Sequence, residues 1–231
     1  MEFLTDLIII SIFGGFVAID TAAGWQLMFS QPLVSCTLIG LFLGNPGTGF
    51  LIGILFQLPW LAEIPAGGTH TSEGNIGSLA GAGLAIHLIQ NQVNTENIIL
   101  VIALLWGVLV GWLGGKFVNS MRKRNVFFVY RADRAADDVN TKQISFLHIG
   151  GVIHAFLMGF SLLGISFSVG VLFLGRLAAF IPSFFDKPFE YSKIGMLALG
   201  VGTMLSMFLR QRNVPYFVIG LILSLIVLLI V

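Results

Sequence analysis

Residues 55–77 read LFQLPWLAEIPAGGTHTSEGNIG, a polar stretch between the apolar runs 38–56 and 77–89. Within it lie Gln57, Glu63, Thr69, His70, Ser72, Glu73 and Asn75. Carboxylates, amides, hydroxyls and an imidazole together both donate and accept hydrogen bonds, which suits a solute rich in hydroxyl groups. Trp60 offers a ring on which the apolar face of such a solute can stack. Two other readings stay open. Glu63, His70 and Glu73 have a loose metal-site spacing, and the same side chains could instead cap half-helices and satisfy one another at the membrane surface. Asp20, at the end of the first apolar run, either sits exposed at a helix end or lines the same pocket. His87 has no evident partner, while His148 and His154 lie six apart at the start of a span and suit interfacial or hydrogen-bonded positions.

Those residues need elements to hold them, and the composition says which. The chain has 231 residues, 56% hydrophobic and 10% charged, with a mean hydropathy of +0.95. This excludes an ordinary soluble domain, and the long apolar runs exclude the weak alternation of a membrane β-barrel. The expected fold class is an all-α membrane protein, a multi-spanning helical bundle with broken or re-entrant helices. A carboxylate at bilayer depth costs roughly 2.5 to 3.5 kcal/mol on insertion scales, and irregular backbone there needs protein around it. Segment 55–77 is therefore expected to be a broken segment lining a polar pocket, with Gln57, Glu63, Thr69, His70, Glu73, Asn75 and Asp20 as substrate-binding residues. No phosphate-cradling glycine loop, HExxH, GxSxG or paired-cysteine spacing occurs, so no catalytic residue, metal or cofactor is expected. The single Cys36 permits no internal disulfide, and the acidic start MEFLTD argues against a cleaved signal peptide.

All twelve Lys and Arg lie at or beyond Lys116, whereas residues 1–115 carry six acids and no basic side chain. Six basic residues between 119 and 147 place that segment in the cytoplasm, and nothing in the first half suits nucleic acid. The expected organisation is a membrane region over 1–118, a cytoplasmic amphipathic segment over 119–147, and C-terminal membrane helices over 148–231. Phe128, Ala132, Ala135 and Val139 share a helical face, with Asp138 and Lys142 as an i,i+4 pair. The runs 32–43 and 49–61 form a hairpin around Asn45, Pro46, Gly47 and Thr48, where Pro and Gly suit the centre of a type II turn. Pro59 and Pro65 break the helix that carries Trp60. Gly107, Gly111 and Gly115 form a stripe for helix packing. Residues 148–180 are too long for one crossing, which implies tilt or a break near Gly164, Gly170 or Gly175.

Two blocks carry a family resemblance. QPLVSCTLIGLFLGNPGTGFLIGILFQLPWL (31–61), followed by a loop with Pro and Gly and by Asn75, and YRADRAADDVNTKQISFLHIGGVIHAF (130–156) together resemble the mannose-type (mannose, fructose, sorbose) enzyme IIC of the phosphoenolpyruvate-dependent sugar phosphotransferase system. The resemblance covers most of the chain. It implies a sugar-translocating subunit of the bacterial plasma membrane that binds a hexose-type sugar and passes it inward for phosphorylation by the B subunit. It further implies a membrane partner, enzyme IID, cytosolic IIA and IIB phosphocarriers bearing the phosphorylated histidines, and an oligomeric complex in the lipid bilayer. The alternative is the substrate-binding membrane subunit of an ATP-driven vitamin importer, from which energy source would distinguish it.

Overall fold

The computed structural model describes residues 2–24, 26–61, 72–208 and 214–230. Its elements are helical: α1 (Glu2–Ala22), α2 (Pro32–Phe42), α3 (Pro46–Leu61), α4 (Gly74–Gln90), α5 (Glu96–Asp137), α6 (Thr141–Val169), α7 (Gly175–Phe180), α8 (Asp186–Phe208) and α9 (Val214–Ile230). By length and composition, α1, α5 and the continuous stretch Thr141–Phe180 are suited to cross a membrane among the described residues.

The bundle is built around α4. Residues 76–88 are buried without exception, as expected of a helix apolar on every side. It packs against α1, α2, α3, α5 and α6. Small residues make this possible, because lipid gives helices no hydrophobic drive to associate and close backbone approach must supply the contact. A Cβ on Gly81 would stand 2.8 Å from the Ala103 carbonyl oxygen, and one on Gly107 would stand 2.8 Å from that of Gly77. The expected packing role of the α5 glycine stripe is thus met by glycines of α4. A second seam joins α1 to α6, where a Cβ on Gly164 would stand 2.7 Å from Ser11 Oγ.

Hairpin α2–α3 forms as expected, with a different turn. Pro46 begins α3 and Gly47 is already helical, so neither occupies the centre of a type II turn. Asn45 Oδ1 accepts from Thr48 N at 3.1 Å, in the manner of a helix cap. Gly44, at φ +80°, supplies the left-handed residue that ends α2.

Two further expectations change form. The amphipathic face containing Phe128, Ala132 and Ala135 belongs to the continuation of α5 rather than to a separate helix. At 42 residues, α5 is about 63 Å long, twice the roughly 30 Å of hydrocarbon, so its C-terminal half projects beyond the bilayer. Val139 has φ 54° and ends the helical run, so Asp138 and Lys142 flank a turn instead of pairing along one helix. Asn140 then caps α6 by accepting from Gln143 N at 3.1 Å. The long apolar run 148–180 stays helical throughout, and a π-helical turn (Gly170–Leu174) carries α6 into α7 without a break.

The described contacts also orient the first hundred residues. Asn94 Nδ2 donates to the Ala178 and Ile181 carbonyls at 2.6 and 3.0 Å, and Asn97 Nδ2 donates to Asp186 at 3.1 Å. Loops 91–95 and 181–186 therefore share the outer face, opposite the basic segment. His87 Nδ1 lies 2.6 Å from Asp6 Oδ2, which places the start of α1 on that outer side too.

Replacing Gly107 with Leu is expected to lower the thermal midpoint of the detergent-purified protein by the equivalent of about 1–3 kcal/mol or more, through overpacking against Gly77 and Phe56. Gly195→Ala, where an added Cβ meets nothing within 4 Å, should leave the melting curve unchanged or slightly raised.

Candidate functional site

Two of the described helices, α2 and α4, are too short to cross a bilayer. From its outer end, α4 reaches about 25 Å and α2 about 16 Å, both short of the roughly 30 Å hydrocarbon thickness. Both therefore begin within the bilayer by their lengths, near the last described turn of α3. The chain that reaches α2 from α1, residues 26–31, carries the polar groups that meet them.

Asp20 holds this connection. It is 2% exposed, in contrast to the exposed helix-end reading. Its Oδ1 accepts from Leu27 N at 2.6 Å and its Oδ2 accepts from Ser30 N at 3.0 Å. The loop needs that anchorage, because Gln26 (φ 49°) and Met28 (φ 64°) adopt left-handed backbone conformations costly for residues with a side chain.

Gln57, on α3, serves the start of α2. Its Oε1 accepts from Leu33 N at 3.0 Å, and its Nε2 donates to Gln31 Oε1 at 3.1 Å. Pro32 stands at the first position of α2, where a missing N–H costs nothing, and Gln57 supplies from a neighbouring helix the acceptor that the local side chains do not. Asn75, in the first turn of α4, reaches Ser30 Oγ with its Nδ2 at 3.5 Å. Asp20, Gln57 and Asn75 thus converge on one short segment.

Glu73 lies at the other side of the α4 N-terminus. It is 2% exposed, and its N–H donates to the Gly111 carbonyl at 2.8 Å. A Cβ on Gly114 would stand 2.9 Å from that of Glu73, so the absent side chains of Gly111 and Gly114 let the α4 N-terminus seat against α5. Trp60 stacks on Phe56 with ring centroids 6.3 Å apart and lies against Gly74. Its indole N–H is buried with no hydrogen-bond partner among the described residues. Glu63, Thr69, His70 and Pro65 lie outside the described residues.

Sequence reasoning missed the partners more than the residues. Ser30 and Gln31 interrupt an apolar pattern, and that interruption was the available signal for their part in the junction. Asp6 was legible in the same way, as an acid inside an apolar run. It is the partner that His87 lacked, in a setting flanked by Phe3 and Phe167. His154 Nδ1 meets Asn125 Oδ1 at 2.6 Å, as the hydrogen-bonded reading requires, whereas His148 is exposed.

A multi-pass bundle whose half-helices end at a polar junction within the bilayer is the architecture of a membrane transporter. Residues 4–231 match the family described as PTS system sorbose-specific IIC component, and the chain belongs to that family of mannose-type phosphotransferase IIC components. It is accordingly a multi-pass sugar-transport component of the bacterial inner membrane. It is similar to the sorbose-specific EIIC component of Klebsiella pneumoniae, 25% identical over 82% of this chain and 69% of that protein. It is also similar to the mannose-specific EIIC component of Escherichia coli K12 (24%; 85% and 71%) and to the fructose permease IIC component of Bacillus subtilis (28%; 84% and 69%). Among solved structures, a membrane protein matches with a TM-score of 0.71 over 96% of this chain and 85% of that one, at 20% identity. A complex of the mannose transporter ManYZ with microcin E492 matches with a TM-score of 0.50, with the same coverage and identity. These likenesses agree with the helical fold, and the family match leaves the vitamin-importer alternative without support.

Asp20→Asn replaces one carboxylate oxygen by an amide donor facing a backbone N–H. Hydrogen exchange should show the Leu27 and Ser30 amides opening about 10- to 100-fold faster, consistent with about 1.5–3 kcal/mol for a charge-assisted bond, while α4 keeps its protection.

Proposed function

We propose that this chain binds a hexose-type sugar where α2, α3 and α4 end within the bilayer, and passes it to the cytoplasmic side for phosphorylation. The observation that carries the reading is the convergence of Asp20, Gln57 and Asn75 on residues 26–33, inside an otherwise apolar bundle of this family. Glu63, Thr69, His70, Glu73 and Asn75 are the hydrogen-bonding candidates for the sugar hydroxyls. Asp20 and Gln57 hold the backbone on which that site stands, so their effect on the sugar is exerted through the loop as well as by direct contact.

In this reading the first membrane region, 1–118, carries the sugar, 119–147 faces the cytosolic proteins, and 148–231 supplies helices against which the pocket moves. One described point of contact between the moving parts is α3 with α8, where a Cβ on Gly200 would stand 2.6 Å from that of Leu58. An enzyme IID subunit completes the membrane complex, and IIA and IIB carry the phosphoryl group on their own histidines. Once phosphorylated, the sugar is an anion that cannot return through an apolar bundle.

The test is uptake by vesicles that contain the complete system, loaded with phosphoenolpyruvate and offered labelled mannose, fructose, sorbose and N-acetylgalactosamine in turn. Glu63→Ala combined with Glu73→Ala should weaken binding of the accepted sugar by about 10- to 100-fold, the loss expected when hydrogen bonds to a charged group are removed. Retained binding and uptake in that double variant would move the site elsewhere. Uptake driven by ATP without phosphoenolpyruvate would remove the phosphotransferase reading.

A further inference from the structure

A groove of about 580 Å³ runs between α5 and α6, apart from the polar junction. Val110, Leu113 and Phe117 of α5 face Leu157 and Ile165 of α6 along it. Its inner end is Trp106, and its cytoplasmic end is Ser120, Arg124 and His154. A neighbouring cavity continues the same end past Lys123 and Gly150.

The apolar part of this groove has the depth of one bilayer leaflet. From Trp106 to Phe117 the helix rises about 17 Å, against about 15 Å for half of the hydrocarbon. The first basic residue of the chain, Lys116, marks the boundary, with its ammonium 3.4 Å from the centre of the exposed Trp112 ring. Beyond it the chemistry changes from hydrocarbon to cation. Side chains on a helix lean toward its N-terminus, so Arg124 leans back from the cytoplasm toward the membrane surface. Arg124 and Lys123 are exposed, and neither has an acidic partner among the described residues. His154 is fixed beside them by Asn125.

We propose that this groove is a binding site for an anionic phospholipid of the inner leaflet. One acyl chain would lie along Val110 to Phe117, with the headgroup phosphate at Arg124, Lys123 and Ser120. An apolar trough alone would take any lipid. The unpaired cations at its cytoplasmic mouth select negative charge, as basic recesses at the cytoplasmic ends of membrane helices do. The groove would hold its lipid whether or not the sugar site is occupied.

The experiment uses the full chain in nanodiscs of phosphatidylcholine, titrated with phosphatidylglycerol and followed by native mass spectrometry and thermal melting. Phosphatidylglycerol should be retained at one site and raise the melting temperature, and added phosphatidylcholine should not displace it. Arg124→Gln with Lys123→Gln, and separately a Trp substitution of Ser161, a residue of α6 that lines the groove (Ser161→Trp, which fills it while leaving the cations in place), should each weaken retention at least ten-fold. Arg124→Lys should restore most of it. Circular dichroism and a monodisperse elution profile confirm that the variants are folded. Equal retention of the two lipids, or retention unaffected by both the charge and the filling variants, would overturn the proposal. Loss on charge removal but not on filling would assign the site to a free phosphate and overturn it as a lipid site. Efficient cross-linking of Ser161→Cys to a IID subunit, with no retained lipid, would show a protein helix in the groove instead.

Discussion

A helix that stops inside a bilayer must have its end groups met by protein, because no water reaches them and each unsatisfied group costs several kcal/mol. This constraint shapes the first half of the molecule. The starts of α2 and α4 fall within the hydrocarbon, and each is met by a group from elsewhere in the fold. Gln57 reaches across from α3 to Leu33 N, and the Gly111 carbonyl of α5 meets Glu73 N. Asp20 performs the same service for the strained loop between α1 and α2.

Satisfying the polar ends demands close packing, and glycine supplies it. The Glu73 amide reaches a main-chain carbonyl in the middle of α5 because Gly111 and Gly114 carry no side chains there. The same economy of volume lets α4 sit buried among five neighbours. A polar junction and a tightly packed glycine seam are therefore two sides of one arrangement. The junction exists within the membrane because the seam holds α4 against a helix that crosses it fully.

Such an arrangement suits transport. Half-helices end at the polar junction, while the crossing helices α1, α5 and α6 give a continuous frame. The groove between α5 and α6 is chemically distinct from the junction, apolar along a leaflet's depth and cationic at its mouth. One molecule thus offers hydrogen-bonding chemistry inside the bundle and lipid-matching chemistry on its flank.

The class of the protein was legible in its residues: apolar runs of spanning length, a first half with acids and no bases ahead of a late basic cluster, and two sequence blocks sufficient to suggest the family. Hydrophobicity, charge and local turn residues act at short range, so they survive in a linear reading. Pairings across the bundle did not. Asp6 with His87, Gln57 with Leu33 and Asn75 with Ser30 join positions 81, 24 and 45 residues apart, and only packing decides which of many possible partners meet. The turn at Asn45 and the unbroken run of α5 to Asp137 were likewise tertiary outcomes, since Pro–Gly fits a turn centre or a helix start equally well. The orientation of α1 was decided last, by a contact with α4, because the first 115 residues hold no basic side chain that could have announced it.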